Sequence, residues 1–137
     1  STEFNKNGPP VIGLINEWVK DGKTIKGTDK DLGGTMRLGS YEAKLKDNSM
    51  IRKIYGKKVV NERHRHRYEL NFEYMDKLKK AGMVFSGLNP ETGLVEIIEI
   101  PNHDWFVGVQ FHPEYQSTVK NPHPLFVSFV EACKKTI

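Results

Sequence analysis

The residues best suited to chemistry lie in Phe111-His112-Pro113-Glu114-Tyr115. Histidine exchanges protons near neutral pH, since its unperturbed pKa is about 6.5. A carboxylate two residues away can accept the other ring N–H. That fixes the tautomer and stabilises the imidazolium formed when His112 takes a proton. Pro113 restricts both its own backbone and that of His112, which stiffens the turn. A nucleophile beside the pair would complete a triad. On the tetrapeptide alone the plainer reading is preferred, a surface histidine next to a turn glutamate. Cys133, the single cysteine, does not fit as the nucleophile. It sits on an apolar helical stripe between Ala132 and Lys134-Lys135, with no glycine beside it. A catalytic cysteine in an α/β fold occupies a tight strand-to-helix turn among small residues and amide donors. Cys133 is expected to be a buried structural residue.

A second cluster is Arg63-His64-Arg65-His66-Arg67. On a strand, alternation puts the three arginines on one face and His64, His66 and Tyr68 on the other. Arginines on one face can grip carboxylates or phosphates through paired N–H donors. They can equally pair with the chain's own 17 acidic residues, and the residues alone leave both readings open. His-x-His offers two imidazoles to a metal, but no Cys-x-x-Cys, His-Glu-x-x-His or acidic cluster accompanies it, so no metal site is expected. Gly33-Gly34-Thr35-Met36-Arg37-Leu38-Gly39 lacks the spacing of a phosphate loop. Its glycines suit a tight turn and close backbone approach.

The elements that must hold these residues can be sketched from pattern. Asn5 to Pro10 is a loop by its turn residues, and Val11 to Val19 is apolar without deciding between strand and helix. Lys20 to Asp31 reads as a surface hairpin or loop. Strands are expected at Thr35–Leu45 and Val59–Leu70, with a short helix capped by Ser49 and running through Tyr55. Asn71 is suited to cap a helix ending at Gly82, with Phe72, Met75 and Leu78 facing the core. Met83–Leu88 and Leu94–Ile100 flank Asn89-Pro90-Glu91-Thr92-Gly93 as a hairpin. Trp105–Phe111 is a further apolar strand, and Trp105, Phe106 and Phe111 are expected in the core. A last helix begins at Pro124, with Phe126, Phe129, Val130, Cys133 and Ile137 on one stripe. Strands mixed with helices imply an α/β domain whose sheet is partly antiparallel.

Composition bounds the answer without deciding it. A chain of 137 residues suits one domain, and 37% hydrophobic with 28% charged residues is an ordinary globular balance. No run approaches the roughly 18 apolar residues of a membrane span, and no signal region opens the chain. A cytoplasmic setting is the default, and a lone cysteine agrees with it. A net charge of +4 suits nucleic acid or an anionic substrate alike.

Five segments together resemble the CTP synthase family. They are Ser-Thr-Glu-Phe at 1–4, Asp-Leu-Gly-Gly-Thr-Met-Arg-Leu-Gly at 31–39, Asn-Glu-Arg-His-Arg-His-Arg-Tyr-Glu-Leu-Asn at 61–71, Val-Glu-Ile-Ile-Glu-Ile-Pro-Asn-His at 95–103 and Val-Gln-Phe-His-Pro-Glu-Tyr at 109–115. The Phe-His-Pro-Glu element is shared by many class I glutamine amidotransferases, whereas the 33–39 and 62–67 segments are more specific. The resemblance implies that the intact enzyme hydrolyses L-glutamine in one domain. It passes ammonia to a synthetase domain, which aminates UTP with ATP and Mg2+. GTP is the implied activator and a homotetramer the implied assembly. By motif, His112 and Glu114 match the catalytic His and Glu, while Glu3 and Arg67 match glutamine-binding positions. A carboxylate suits the substrate's ammonium, and a guanidinium suits its carboxylate.

The family's nucleophile lies in a Gly-x-Cys-x-Gly turn upstream of Ser-Thr-Glu-Phe. Residues 1–137 are therefore expected to be the C-terminal portion of an incomplete class I glutamine amidotransferase domain, a mixed sheet with flanking helices. The N-terminal half that carries the cysteine is missing. Such a chain is expected to be inactive alone, to need no cofactor or metal of its own, and to have no nucleic-acid or membrane partner. Asp104 stands where the family more often has proline, which touches only local loop shape. Two other readings remain: an amidotransferase-like binding or regulatory module without catalysis, and a small nucleic-acid-binding protein using the arginine strand.

Overall fold

A computed structural model describes residues 1–14, 19–20, 23–24 and 36–135, the four at 19–20 and 23–24 by backbone only. The Gly33-Gly34-Thr35 turn and Ile137 lie outside the described residues. The elements are β1 (Ile12–Gly13), β2 (Val19–Lys20), β3 (Lys23–Thr24), β4 (Arg37–Leu45), α1 (Met50–Tyr55), β5 (Val59–His66), β6 (Glu69–Leu70), α2 (Met75–Lys80), β7 (Val84–Leu88), β8 (Val95–Glu99), β9 (Val107–Val109) and α3 (Pro124–Lys134). A 3-10 turn at Phe72–Tyr74 precedes α2, and another at Pro113–Gln116 follows β9. The class is α/β, as expected.

The main sheet has the order β5-β4-β7-β8-β9, and every neighbouring pair is antiparallel. The short pairs β1–β6 and β2–β3 lie apart from it. The 89–93 hairpin is built by Asn89, whose side-chain oxygen accepts from Glu91 N–H and from both Thr92 N–H and Thr92 O–H. Two close approaches in the sheet demand glycine. A Cβ at Gly87 would stand 2.6 Å from an Ile97 carbon, and one at Gly108 would stand 2.8 Å from Ile98.

Ala43, Leu45, Ile51, Val60, Ile97, Phe111 and Leu125 form the principal core, with Trp105 packed at its margin. Leu70, Phe85 and Val95 form a second cluster, which Met75 and Leu78 cover. Ser49 caps α1 by accepting from Arg52 N–H. The carboxylate of Glu99 accepts from Met50 N–H and Ile51 N–H, which neutralises the positive end of that helix.

Several expectations are corrected. The strand expected over 59–70 breaks after His66, where pairing with Arg37 ends and Glu69–Leu70 joins Ile12–Gly13 instead. Arg67 lies just beyond the end of β5 and is exposed, as Arg63 and Arg65 are. The helix expected from Asn71 opens as the 3-10 turn, which Asn71 caps by accepting from Glu73 N–H. The strand expected over 105–111 keeps its ladder only at Val107–Val109.

The α3 stripe is also reversed. Phe126, Phe129 and Val130 are 41%, 49% and 53% exposed, and Cys133 is exposed rather than buried. The helix instead turns Leu125, Ser128 and Ala132 inward, and the Ser128 hydroxyl accepts the Trp105 indole N–H at 2.9 Å. Leu125 enters the principal core from this face.

Candidate functional site

The His-Pro-Glu segment follows β9 as a short turn. Pro113 occupies the first position of the 3-10 turn, where a missing N–H costs nothing. The His112 N–H donates to Arg63 C=O at 2.8 Å, pinning the segment against β5. Nδ1 of His112 lies 2.7 Å from Oε1 of Glu114. The Glu114 carboxyl is held below the usual carboxylate range by a hydrogen bond from its own backbone amide, and then by His112. An ionised carboxylate can only accept, so Nδ1 carries the proton and Nε2 is left as the acceptor for incoming chemistry. The pair is open to solvent, at 37% and 54% side-chain exposure. The Tyr115 ring stacks on His112 at 5.1 Å between centroids and restricts its rotation.

Glu3 and Arg67 are distant in sequence and meet in space. Ile12 pairs with Leu70, Asn71 N–H donates to Val11 C=O, and the Asn71 side chain donates to Pro10 C=O. Thr2 N–H donates to Ile12 C=O, which carries the start of the chain along the same edge. The result is a cleft of about 410 Å³ whose walls include Glu3, Arg65, His66, Arg67, Tyr68 and Gln110. That size falls in the range of small-molecule sites. One carboxylate and two guanidiniums around one opening suit a zwitterion with an ammonium and a carboxylate. His112 does not line this cleft. A second depression of about 520 Å³, bounded by Leu38, Arg63, Arg65 and Tyr115, shares Arg65 with it. Tyr115 thus links His112 to the arginine face.

Sequence reasoning missed the polar network beneath the cleft. Arg37 is buried, and its guanidinium donates to Glu69 at 2.9 Å and to Glu96 at 2.7 Å. It also lies 4.5 Å over the Tyr41 ring. Burial opposes its charge, but the two carboxylates outweigh that and raise its pKa. Nε2 of His66 stands 2.7 Å from Glu69 and 3.4 Å from Arg37. Arginine can only donate, so the shorter contact wins and His66 Nε2–H donates to Glu69. His64 is fully enclosed, and its pKa is lowered to about 3 by burial first and then by Arg37, His66 and His112. It is a neutral ring 3.5 Å from Glu96, a contact rather than an ion pair. The available signal was parity, since His64 and His66 share a face with Val60.

Among the described residues no group of three or more His, Cys, Asp or Glu gathers to hold a metal. No described helix is long and apolar enough to cross a membrane.

The family model for glutamine amidotransferase class-I matches residues 11–132. The CTP synthase of Pelagibacter ubique is 68% identical over 134 residues, covering 98% of this chain and 25% of that protein. The CTP synthase of Sphingopyxis alaskensis is 54% identical over 136 residues, again covering 98% and 25%. The chain thus spans about a quarter of the length of the curated relatives it matches. Among solved structures, the Trypanosoma brucei CTPS glutaminase domain with bound acivicin superposes with a TM-score of 0.81 at 34% identity, covering 98% of this chain and 50% of that one.

Proposed function

The chain belongs to the class I glutamine amidotransferase family, and on that premise we propose that it is the C-terminal part of the glutaminase domain of a CTP synthase. The observation that carries the catalytic reading is the solvent-open His112–Glu114 pair at 2.7 Å, whose contact engages Nδ1 and leaves Nε2 as the acceptor. In this reading a cysteine from the preceding half of the domain is the nucleophile. His112 Nε2 takes the thiol proton, and the thiolate attacks the side-chain amide carbon of glutamine. His112 then returns the proton to the departing nitrogen and releases ammonia. Next it activates the water that hydrolyses the thioester to glutamate. Glu114 holds the ring and stabilises the imidazolium. In the cleft, Glu3 takes the substrate ammonium and Arg67 its carboxylate.

The ammonia passes to a synthetase domain that aminates UTP with ATP and Mg2+, under GTP activation, in a homotetramer. The chain alone does not hydrolyse glutamine. Cys133 lies on α3, away from any strand-to-helix turn. The outward stripe of α3, Phe126, Phe129 and Val130, is an apolar surface suited to packing against further structure.

The test is His112→Ala in the full-length enzyme, with CTP formation measured from glutamine and from ammonia. The expected result is loss with glutamine and retention with ammonia. Equal activity with both sources makes His112 a bystander, and equal failure in a folded protein gives it another role.

A further inference from the structure

Beside the His112 turn is a buried carboxylate that the mechanism does not use. Glu62 sits on the inward face of β5, with side-chain exposure of 3%. Its Oε1 accepts the Tyr55 hydroxyl at 2.6 Å and faces His123 Nε2 at 2.8 Å. Its Oε2 accepts the Gln116 amide at 2.9 Å. The tautomer of His123 follows from its other nitrogen, because Nδ1 accepts from Leu125 N–H at the start of α3. The ring proton is therefore on Nε2 and is donated to Glu62. Glu62 is thus a buried carboxylate with three donors around it, so its oxygens are satisfied inside the protein.

One of those donors belongs to the catalytic turn. Gln116 is the last residue of the 3-10 segment that begins at Pro113 and contains Glu114. Its two amide hydrogens are both committed, one to Glu62 and one to Asn61 C=O at 3.0 Å. The other end of the segment is tied by His112 N–H to Arg63 C=O. Three successive residues of β5 therefore clamp the turn at both ends, and Glu114 lies between the clamps. The only side chain of β5 in this arrangement is Glu62. Tyr55 and His123 fix that carboxylate in turn from α1 and from the residue preceding α3.

We propose that Glu62 is a positioning residue for glutamine hydrolysis. It acts through Gln116 to hold Glu114 at hydrogen-bond distance from His112. This rests on the glutaminase reading above. The clamp does not touch Glu3 or Arg67, so its loss should lower turnover and leave substrate affinity alone.

Gln116 is exposed, so it can be varied without emptying the core, whereas removing Glu62 strands buried donors. The test uses the full-length enzyme and Gln116→Glu, which sets a second carboxylate against Glu62. Glutamine-dependent kcat is expected to fall by about tenfold to a hundredfold, the scale of a small displacement of a reacting group. KM for glutamine and the ammonia-dependent rate should stay unchanged. The exchanged pair Glu62→Gln with Gln116→Glu restores donor to acceptor, and kcat should recover most of its loss. Unchanged kcat in Gln116→Glu overturns the proposal, as does no recovery in the exchanged pair. A parallel fall with both nitrogen sources also overturns it, since that marks a general structural role. His112→Ala run alongside separates the premises. If His112→Ala still uses glutamine, the glutaminase reading fails and takes this proposal with it. If only Gln116→Glu is silent, the positioning role alone fails.

Discussion

The pairs His123–Glu62 and His112–Glu114 are 2.8 Å and 2.7 Å long, yet their surroundings are opposite. The first is enclosed, and every polar atom has a partner within the fold: Nδ1 of His123 takes the Leu125 N–H, and the Glu62 carboxylate takes three donors. The second is open to solvent, and its contact with Glu114 uses Nδ1 alone. Length therefore does not mark a catalytic pair. A histidine that spends both nitrogens on the protein caps and ties. One that spends a single nitrogen is oriented and keeps the other for a substrate or nucleophile. The His66–Glu69 pair at 2.7 Å stands between them, at the wall of the cleft but locked to Arg37's network.

The sharpest way to break this comparison is to remove the two kinds of histidine and read activity and stability together. His112→Ala is expected to lower glutamine-dependent turnover by about 10²–10⁴-fold, the usual worth of a positioned proton-transfer group. Its stability should change by no more than about 0.5 kcal/mol. Urea unfolding beside initial rates checks both, and a large fall in stability would erase the contrast with His123.

The next largest effect belongs to the buried network. Arg37→Met leaves Glu69 and Glu96 without their cation, and the expected loss is about 3–5 kcal/mol. A denaturation midpoint that does not move would mean that the carboxylates are protonated or hydrated at no cost. Smaller again is Arg67→Lys, which keeps the charge and loses the fork. A charge-assisted bond is worth about 1.5–3 kcal/mol, so KM for glutamine should rise by about tenfold or more. Unchanged glutamine kinetics would return Arg67 to a purely structural role.

His64 makes a pH-dependent prediction. Its folded pKa is about 3 against 6.5 for the free side chain, so between those values the unfolded chain binds the extra proton. Stability from this group is then lost as pH falls below 6.5, with a slope of at most about 1.4 kcal/mol per unit. Glu96 acts in the other sense, because burial raises its pKa and the folded state takes up its proton first. The His64 slope should therefore be cleanest just below neutrality. His64→Gln should flatten it there, measured as unfolding free energy against pH. The smallest effect is that of Cys133→Ser. An exposed side chain on α3 predicts a change within about 0.5 kcal/mol and none in turnover, and a loss of either would mean that the thiol is covered or used.

Much of the architecture was legible because it is local. Ser49 caps α1, Asn89 builds the hairpin loop, and Pro124 opens α3, each through bonds spanning only a few residues. Alternation in β5 also told true: Arg63 and Arg65 face out while His64 and His66 face in. The misreadings arose where periodicity was asked to name a partner. The stripe Phe126, Phe129, Val130 is a genuine helical face, but a period cannot say which face meets the sheet. The Leu125–Ser128–Ala132 side is the less exposed one, with Leu125 in the core and Ser128 accepting the Trp105 indole N–H. Likewise the run from Val59 to Leu70 reads as one strand until Ile12–Gly13 pairs with its end.

By itself, then, the sequence determined the elements, the Phe-His-Pro-Glu turn and the two-residue spacing that sets His112 against Glu114. These depend on local sterics and on bonds between near neighbours. Tertiary structure alone decided that Glu3 shares a cleft with Arg67, that Arg37 is enclosed by Glu69 and Glu96, and that Glu62 ties Tyr55, Gln116 and His123 together. Each of those joins residues far apart along the chain. A buried charge is tolerated only where the packed fold brings its counter-charges or donors to it, and no local pattern encodes which ones arrive.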